Sequence, residues 1–109
     1  IPDYIRHRLG ISAEEAYDKV ENYYQTYGIT VKGLLLKKEI DNIHDYETYL
    51  DTHSNYNLIK PIPGLRDLLQ RSTARLVILT NAGELHSKRA IKVLGLEDLF
   101  EYLFFVDYN

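Results

Sequence analysis

Two patterns of apolar positions divide this chain. From Ser12 to Tyr27 apolar and aromatic residues recur at three- and four-residue steps, through Ala16, Val20, Tyr23, Tyr24 and Tyr27, which puts one stripe on one face of a helix. Ser12 and Glu15 have the spacing of a capping box that starts this helix, and Gly28 is placed to stop it. Before it, Asp3 to Leu9 reads as the last turns of a helix closed by Gly10. After it, Leu34 to Ile40 fits a short helix. Asp45 is placed to cap another that runs to about Asp51 with Tyr46, Tyr49 and Leu50 inward. Gly28 to Gly33 reads as a loop with a glycine at each end. It is either a helix-to-helix connection or a segment that brings backbone close to a ligand.

The second pattern begins beyond Lys60-Pro61-Ile62-Pro63-Gly64, a stiff turn taken as the boundary between a helical half, 1–59, and an α/β half, 60–109. Leu65, Leu68 and Leu69 predict a helix leading into Leu76 to Leu79, four large apolar residues in a row. That run does not alternate with polar residues, so it predicts a strand covered on both faces, as in a parallel sheet between helix layers. Ala90, Ile91 and Leu94 give the next helix its buried face, and Gly95 closes it. Leu96 to Phe100 makes a short helical turn, and Tyr102 to Val106 predicts a second strand ending at Asp107. Strand, helix, strand of this length forms a right-handed parallel crossover, which puts Thr80 and Asp107 at the same edge of the sheet. Two such strands are too few to bury each other on both faces and need further neighbours.

A length of 109 residues suits one modest domain or a piece of a larger one, and the absence of Met favours the piece. A net charge of −3 weighs against a nucleic-acid polymer as partner, because that affinity rests on concentrated Lys and Arg. Lys37-Lys38 and Lys88-Arg89 are short basic pairs, read as solvated faces. With no Cys there is no disulfide framework, thiolate metal site or Cys nucleophile. That fits a reducing compartment, the cytoplasm first and the nucleus second. No apolar run approaches the ~20 residues of a membrane span. The ten Tyr lie mostly at helical spacing, as amphipathic packing requires. His44 and His53 stand nine apart without tight ligand spacing, so no metal site is expected in this chain.

The candidate chemistry sits where the first apolar strand stops. Thr80, Asn81 and Gly83 place a hydroxyl, an amide and a flexible backbone at a strand end that runs into a helix, where open α/β sheets bind ligands. Backbone N–H groups at the helix start favour an anion, commonly a phosphate. A plain strand-to-helix turn uses the same residues.

Several blocks in order resemble a known family. They are Tyr24-Gln-Thr-Tyr-Gly-Ile-Thr-Val-Lys-Gly-Leu34, Leu58-Ile-Lys-Pro-Ile-Pro-Gly-Leu-Arg-Asp-Leu-Leu69, Leu79-Thr-Asn-Ala82 with His86, and Val93-Leu-Gly-Leu-Glu-Asp-Leu-Phe100. Together they span nearly the whole chain and resemble the haloacid-dehalogenase (HAD) phosphohydrolases, within them the pyrimidine 5′-nucleotidase-like branch. The resemblance implies an α/β fold in which an α-helical cap (1–59) accompanies part of a Rossmann-like parallel sheet (60–109), incomplete here at about two strands. It implies an Mg²⁺-dependent phosphomonoester hydrolase that works through an aspartyl-phosphate. The expected substrate is a small phosphate, a nucleoside monophosphate first, with lysophosphatidic acid among the substrates of related branches.

Carried over residue by residue, the family's strand-end hydroxyl motif matches Thr80 and Asn81, which would hold the phosphate, Thr80 as the catalytic residue. Gly28, Thr30, Lys32 and Gly33 are the expected substrate-binding positions of the cap. No Asp-x-Asp-x-Thr-like motif occurs in the sequence, and the family's Lys and acidic metal pair have no match here. The nucleophile and the Mg²⁺ ligands are therefore expected outside this chain, and the segment alone is expected to be inactive. The competing reading is a non-catalytic HAD-like binding or scaffold module. Oligomeric state has no signature in the sequence.

Overall fold

The Ser12 hydroxyl accepts the Glu15 N–H at 3.1 Å while the Glu15 carboxylate accepts the Ser12 N–H at 2.8 Å. This reciprocal cap starts the longest helix of the computed structural model, which describes residues 1–108. In chain order the helices are α1 (Pro2–Leu9), α2 (Ala13–Tyr27), α3 (Thr30–Leu36), α4 (Ile43–His53), α5 (Leu65–Gln70) and α6 (Glu84–Val93). Strand β1 (Val77–Leu79) precedes α6 and strand β2 (Tyr102–Phe104) follows it, and single 3₁₀ turns occupy Tyr56–Leu58 and Glu97–Leu99. Two compact units form: Ile1–Tyr49 with Tyr108, and Leu50–Asp107, the division falling within α4.

The first unit is helical. Ile5, Ala16, Val31 and Leu34 are buried completely or nearly so, and Tyr4, Ile40 and Tyr46 complete this core. The Tyr4 ring lies 5.2 Å from Tyr46 at an edge-on angle and the same distance from Tyr49. Burial, reinforced by donation of its O–H to Asp45 at 3.1 Å, pushes the Tyr4 phenol up to about 12. On α2 the structure corrects the expected stripe: Ala16 and Tyr23 are buried, but Tyr24 is 58% exposed. A 15-residue helix that packs along one line cannot turn both of two adjacent tyrosines inward.

The segment expected to be a loop is mostly helix. Gly28 closes α2 with φ 77°, a left-handed conformation that favours glycine. Only Gly28 and Ile29 separate α2 from α3, which starts at Thr30 rather than at Leu34. The cause is tertiary. A Cβ at Gly33 would lie 2.6 Å from Tyr23 Cγ, so the glycine lets α3 press directly on the Tyr23 side chain. Lys19 and the Tyr23 hydroxyl both donate to the Glu39 carboxylate, at 2.6 and 2.9 Å, and pin the chain beyond α3 to α2. At the start of α4 the cap is also one turn earlier than expected: the Asn42 side chain accepts the Asp45 N–H at 3.3 Å, and Asp45 lies inside the first turn.

The second unit holds the sheet. Strands β1 and β2 pair in parallel, with Val77 opposite Tyr102, Ile78 opposite Leu103 and Leu79 opposite Phe104. The α/β arrangement expected from the sequence is present as this two-stranded parallel sheet with helices. Ile78 and Leu103 share their surroundings with Ala90 and Ile91 of α6, so one face is partly covered. The other face is open: Val77, Leu79, Tyr102 and Phe104 are all exposed, Leu79 by 85%. Coverage of both faces, expected from the unbroken apolar run, is thus not supplied by one crossover helix. Full burial of a side chain like Leu79 is worth roughly 1.5–3 kcal/mol, and that stabilisation is unrealised here.

Candidate functional site

Backbone pairing carries β1 one residue past its last strand position and fixes the turn that follows. The Thr80 N–H donates to the Phe104 carbonyl at 2.9 Å, and the Val106 N–H donates to the Ala82 carbonyl at 3.1 Å. Residues 80 to 82 are therefore held from β2 at both ends. Within the turn the Ala82 N–H donates to Thr80 Oγ1 at 3.1 Å. A hydroxyl has one hydrogen and two lone pairs, so this bond fixes the oxygen and leaves the O–H as a donor. Asn81 is exposed at the tip of the turn.

Gly83 caps α6 in an extended conformation, and its carbonyl accepts both the Ser87 N–H at 3.2 Å and the Ser87 hydroxyl at 2.6 Å. Ser87 is buried, so α6 is anchored one turn in. The positive end of the α6 dipole points into this region, although Glu84 in the first turn offsets part of it. Thr80, Ala82, His86 and Ser87 line a recess of about 150 Å³ whose apolar wall includes Ile78, Ala90 and Leu103.

Behind the recess stands a chain of side chains from segments far apart in sequence. The Tyr56 hydroxyl and His86 Nδ1 are 2.9 Å apart. Tyr56 is 8% exposed, and burial, with the Asp51 charge adding and the Arg89 charge opposing, raises its phenol above the ordinary value. It is therefore an O–H at neutral pH. Arg89 lies over the same ring, 4.5 Å from its centre, and donates to Asp51 at 2.6 Å. Arg89, read from sequence as half of a solvated basic pair, is thus committed to Tyr56 and Asp51. His86 and Arg89 are three apart on α6 and share a face, a spacing visible in the sequence. Tyr56 is thirty positions from His86, and nothing local announces that contact.

The other expected site residues belong to the first unit. Gly28 is the C-cap of α2, and Lys32 is exposed on α3. Thr30 is 4% exposed and its hydroxyl donates to the Val20 carbonyl at 3.1 Å, so its polar group is committed to the α2–α3 contact. Gly33 is buried against Tyr23. The contacts seen for Thr30 and Gly33 are thus packing contacts within the first unit.

A larger groove of about 590 Å³ runs along α6 and β2, with Lys88, Arg89 and Lys92 on its rim over Ile78, Phe100 and Leu103. Lys88 pairs with Glu84 and Arg89 with Asp51, so two of its three cations are already neutralised. Among the described residues no three His, Cys, Asp or Glu side chains converge on a point that could hold a metal ion. The Mg²⁺ implied by the resemblance thus finds no fitting ligand set among them.

The sequence pattern of the haloacid dehalogenase-like hydrolases matches residues 2–108, the helical part and the sheet together. This chain belongs to that family. As a HAD-like hydrolase chain it is also similar to phosphate metabolism protein 8 of Saccharomyces cerevisiae, with 32% identity over 117 aligned positions that cover 100% of the chain. The chain spans 36% of the length of that curated relative. Among the described residues of this HAD-like chain no helix is long and apolar enough to cross a membrane.

Proposed function

We propose that this chain supplies the phosphate-holding turn and the cap segment of a phosphomonoester hydrolase of the HAD superfamily. The observation that carries the reading is the Thr80 hydroxyl, fixed through its oxygen by the Ala82 N–H and left with its hydrogen to donate. In phosphoryl transfer, charge accumulates on the oxygens around phosphorus, and a donor already in place stabilises that charge without reorganising. Thr80 is the catalytic residue in this sense, and Asn81 beside it completes the phosphate contact. Residues 1–59 act as the cap and 60–109 as part of the core. Lys32 on the cap segment meets the substrate, while Gly28, Thr30 and Gly33 hold that segment in shape.

The substrate is a small phosphomonoester, a nucleoside monophosphate of the pyrimidine 5′-nucleotidase-like branch first. The similarity to a protein named for phosphate metabolism supports the phosphate part of this reading. On the family resemblance, the nucleophilic Asp and the Mg²⁺ ligands would be supplied from outside this sequence, which carries no Asp-x-Asp-x-Thr-like motif. The working compartment is the cytoplasm. The second reading is a HAD-like module that binds without catalysing, which the absence of that motif from the sequence leaves open. Hydrolysis of a panel of nucleoside monophosphates by the full-length protein with Mg²⁺ decides between them. Turnover lost in Thr80→Val supports the enzyme, and no turnover supports the module.

A further inference from the structure

His86 has no part in the phosphate-holding turn described above, yet its ring lines the same recess as Thr80. One of its nitrogens is accounted for, because Nδ1 faces the Tyr56 hydroxyl at 2.9 Å. Tyr56 is itself held in place: the ring is buried, Arg89 stacks on it at 4.5 Å, and Asp51 fixes Arg89. With the phenol as the donor to Nδ1, the imidazole proton sits on Nε2. The ring is oriented from behind by Tyr56, itself held by Arg89 and Asp51, and Nε2 is the nitrogen not turned to Tyr56.

We propose that His86 is a substrate-contacting residue of the Thr80 site, its Nε2–H donating to an oxygen of the phosphomonoester that Thr80 holds, with Tyr56 as the positioning residue behind it. The inference rests on the phosphate reading of Thr80. It adds a second donor on α6, one turn from the strand-end turn, so that phosphate is gripped from the strand and from the helix together. The contact is a hydrogen bond only, with no proton transferred and no bond broken. Arg89 and Asp51 act one step further back: the guanidinium lies over the buried Tyr56 ring and is itself held by Asp51, which keeps the hydroxyl at Nδ1.

The test uses inorganic phosphate and the full-length protein, followed by NMR of the His86 ring C–H and the Thr80 amide. Both signals are expected to shift along one saturation curve, and Thr80→Val is expected to weaken both shifts. His86→Asn keeps a polar atom near the Nδ1 position and loses the outer donor, so phosphate affinity is expected to fall roughly tenfold, the scale of one hydrogen bond to a charged group. His86→Gln reaches the Nε2 position and is expected to retain affinity within about threefold. A Thr80 signal that shifts while the His86 signal stays still overturns the inference and leaves the phosphate reading intact. Neither signal shifting overturns both. Wild-type affinity in His86→Asn, combined with loss in His86→Gln, makes the ring a structural tie to Tyr56 and also overturns the inference. The wild-type titration decides the matter even if a variant fails to fold.

Discussion

The Ala82 N–H reaches back 3.1 Å to the Thr80 hydroxyl oxygen, two residues earlier in the same turn. This bond positions the hydroxyl oxygen and occupies one of its lone pairs. The turn is fixed independently by the ladder bonds of Thr80 to Phe104 and of Val106 to Ala82, so the oxygen is placed by β2 rather than by a ligand. A donor positioned in this way before a ligand arrives is what the proposed phosphate-holding role of Thr80 requires.

Thr80→Val in the full-length protein is accordingly expected to lower kcat by about 10²-fold, the scale of one lost preorganised donor, with a smaller change in KM. Thr80→Ser keeps the hydroxyl and should keep most activity. Valine matches threonine in shape and favours strands, so the melting temperature should change little. A fully active and well-folded Val variant would remove Thr80 from the site.

Gly33→Ala tests the helix packing that replaced the expected loop. The new methyl would meet Tyr23 at 2.6 Å, and the contact is with Cβ and the near ring atoms rather than a mobile tip. Overpacking of this kind costs about 1–3 kcal/mol, against the roughly 0.8–1 kcal/mol that alanine gains over glycine in a helix, and contact with Cβ and the ring stem puts the cost in the upper part of that range. The denaturation midpoint should fall. A rise would mean that α3 can move off Tyr23 without loss.

These two positions also show what a sequence can and cannot disclose. Ser12 with Glu15, Gly28 as a stop, and Thr80 at the end of an unbroken apolar run are local signals, and each reads correctly because its physics lies within a few residues. The start of α3 does not: Ile29-Thr30-Val31 is β-branched and Gly33 is a poor helix former, so propensity points to a loop. The Tyr23 contact overrides it. The Tyr56–His86 pair is equally hidden, because a thirty-residue separation leaves no periodicity to read. The open sheet face is the converse case. Leu76 to Leu79 correctly predicts a strand with two apolar faces, but coverage depends on elements that the run itself cannot specify.

A pH dependence follows from the Arg66–Asp98 pair. Both Asp98 oxygens accept from the Arg66 guanidinium, which also donates to the Gly95 carbonyl at 2.6 Å, and this holds the Asp98 carboxyl below its ordinary range. A carboxyl depressed in the folded state contributes stability above its unfolded pKa of about 3.9, and that contribution is lost as pH falls through the lower folded value. The stability gap between wild type and Arg66→Gln should thus be constant from pH 7 to about pH 5 and close below about pH 4. Urea midpoints at pH 7 and pH 3 check this. Both groups are solvent-exposed, so the gap is small, and an equal gap at the two pH values would assign it to something other than Asp98 ionisation.

The isolated 109-residue chain is expected not to hydrolyse p-nitrophenyl phosphate or nucleoside monophosphates above buffer, even with Mg²⁺. Thr80 can stabilise charge, but the sequence has no Asp-x-Asp-x-Thr-like motif and the described residues have no metal cluster. Turnover that survives stringent purification and disappears with EDTA would contradict this.

Thr30 and Lys32, two residues apart at the start of α3, should respond in opposite ways to substitution. Lys32 is exposed and carries the charge that a cap segment could offer to an anionic leaving group. In the full-length protein Lys32→Ala should therefore change the ratio of kcat/KM between nucleoside monophosphates and p-nitrophenyl phosphate, by roughly three- to tenfold for one exposed charge contact. Thr30 donates from a buried position to the Val20 carbonyl, so Thr30→Val removes one hydrogen bond between α3 and α2 while the carbonyl keeps its place in the α2 ladder. That should cost about 0.5–1.5 kcal/mol of stability and leave the substrate ratio unchanged. Steady-state kinetics on both substrates, with melting curves for each variant, separate the two roles. A Lys32 variant that loses activity equally on all substrates would move Lys32 from selection to folding, and a shifted ratio in Thr30→Val would return the Thr30 hydroxyl to the substrate.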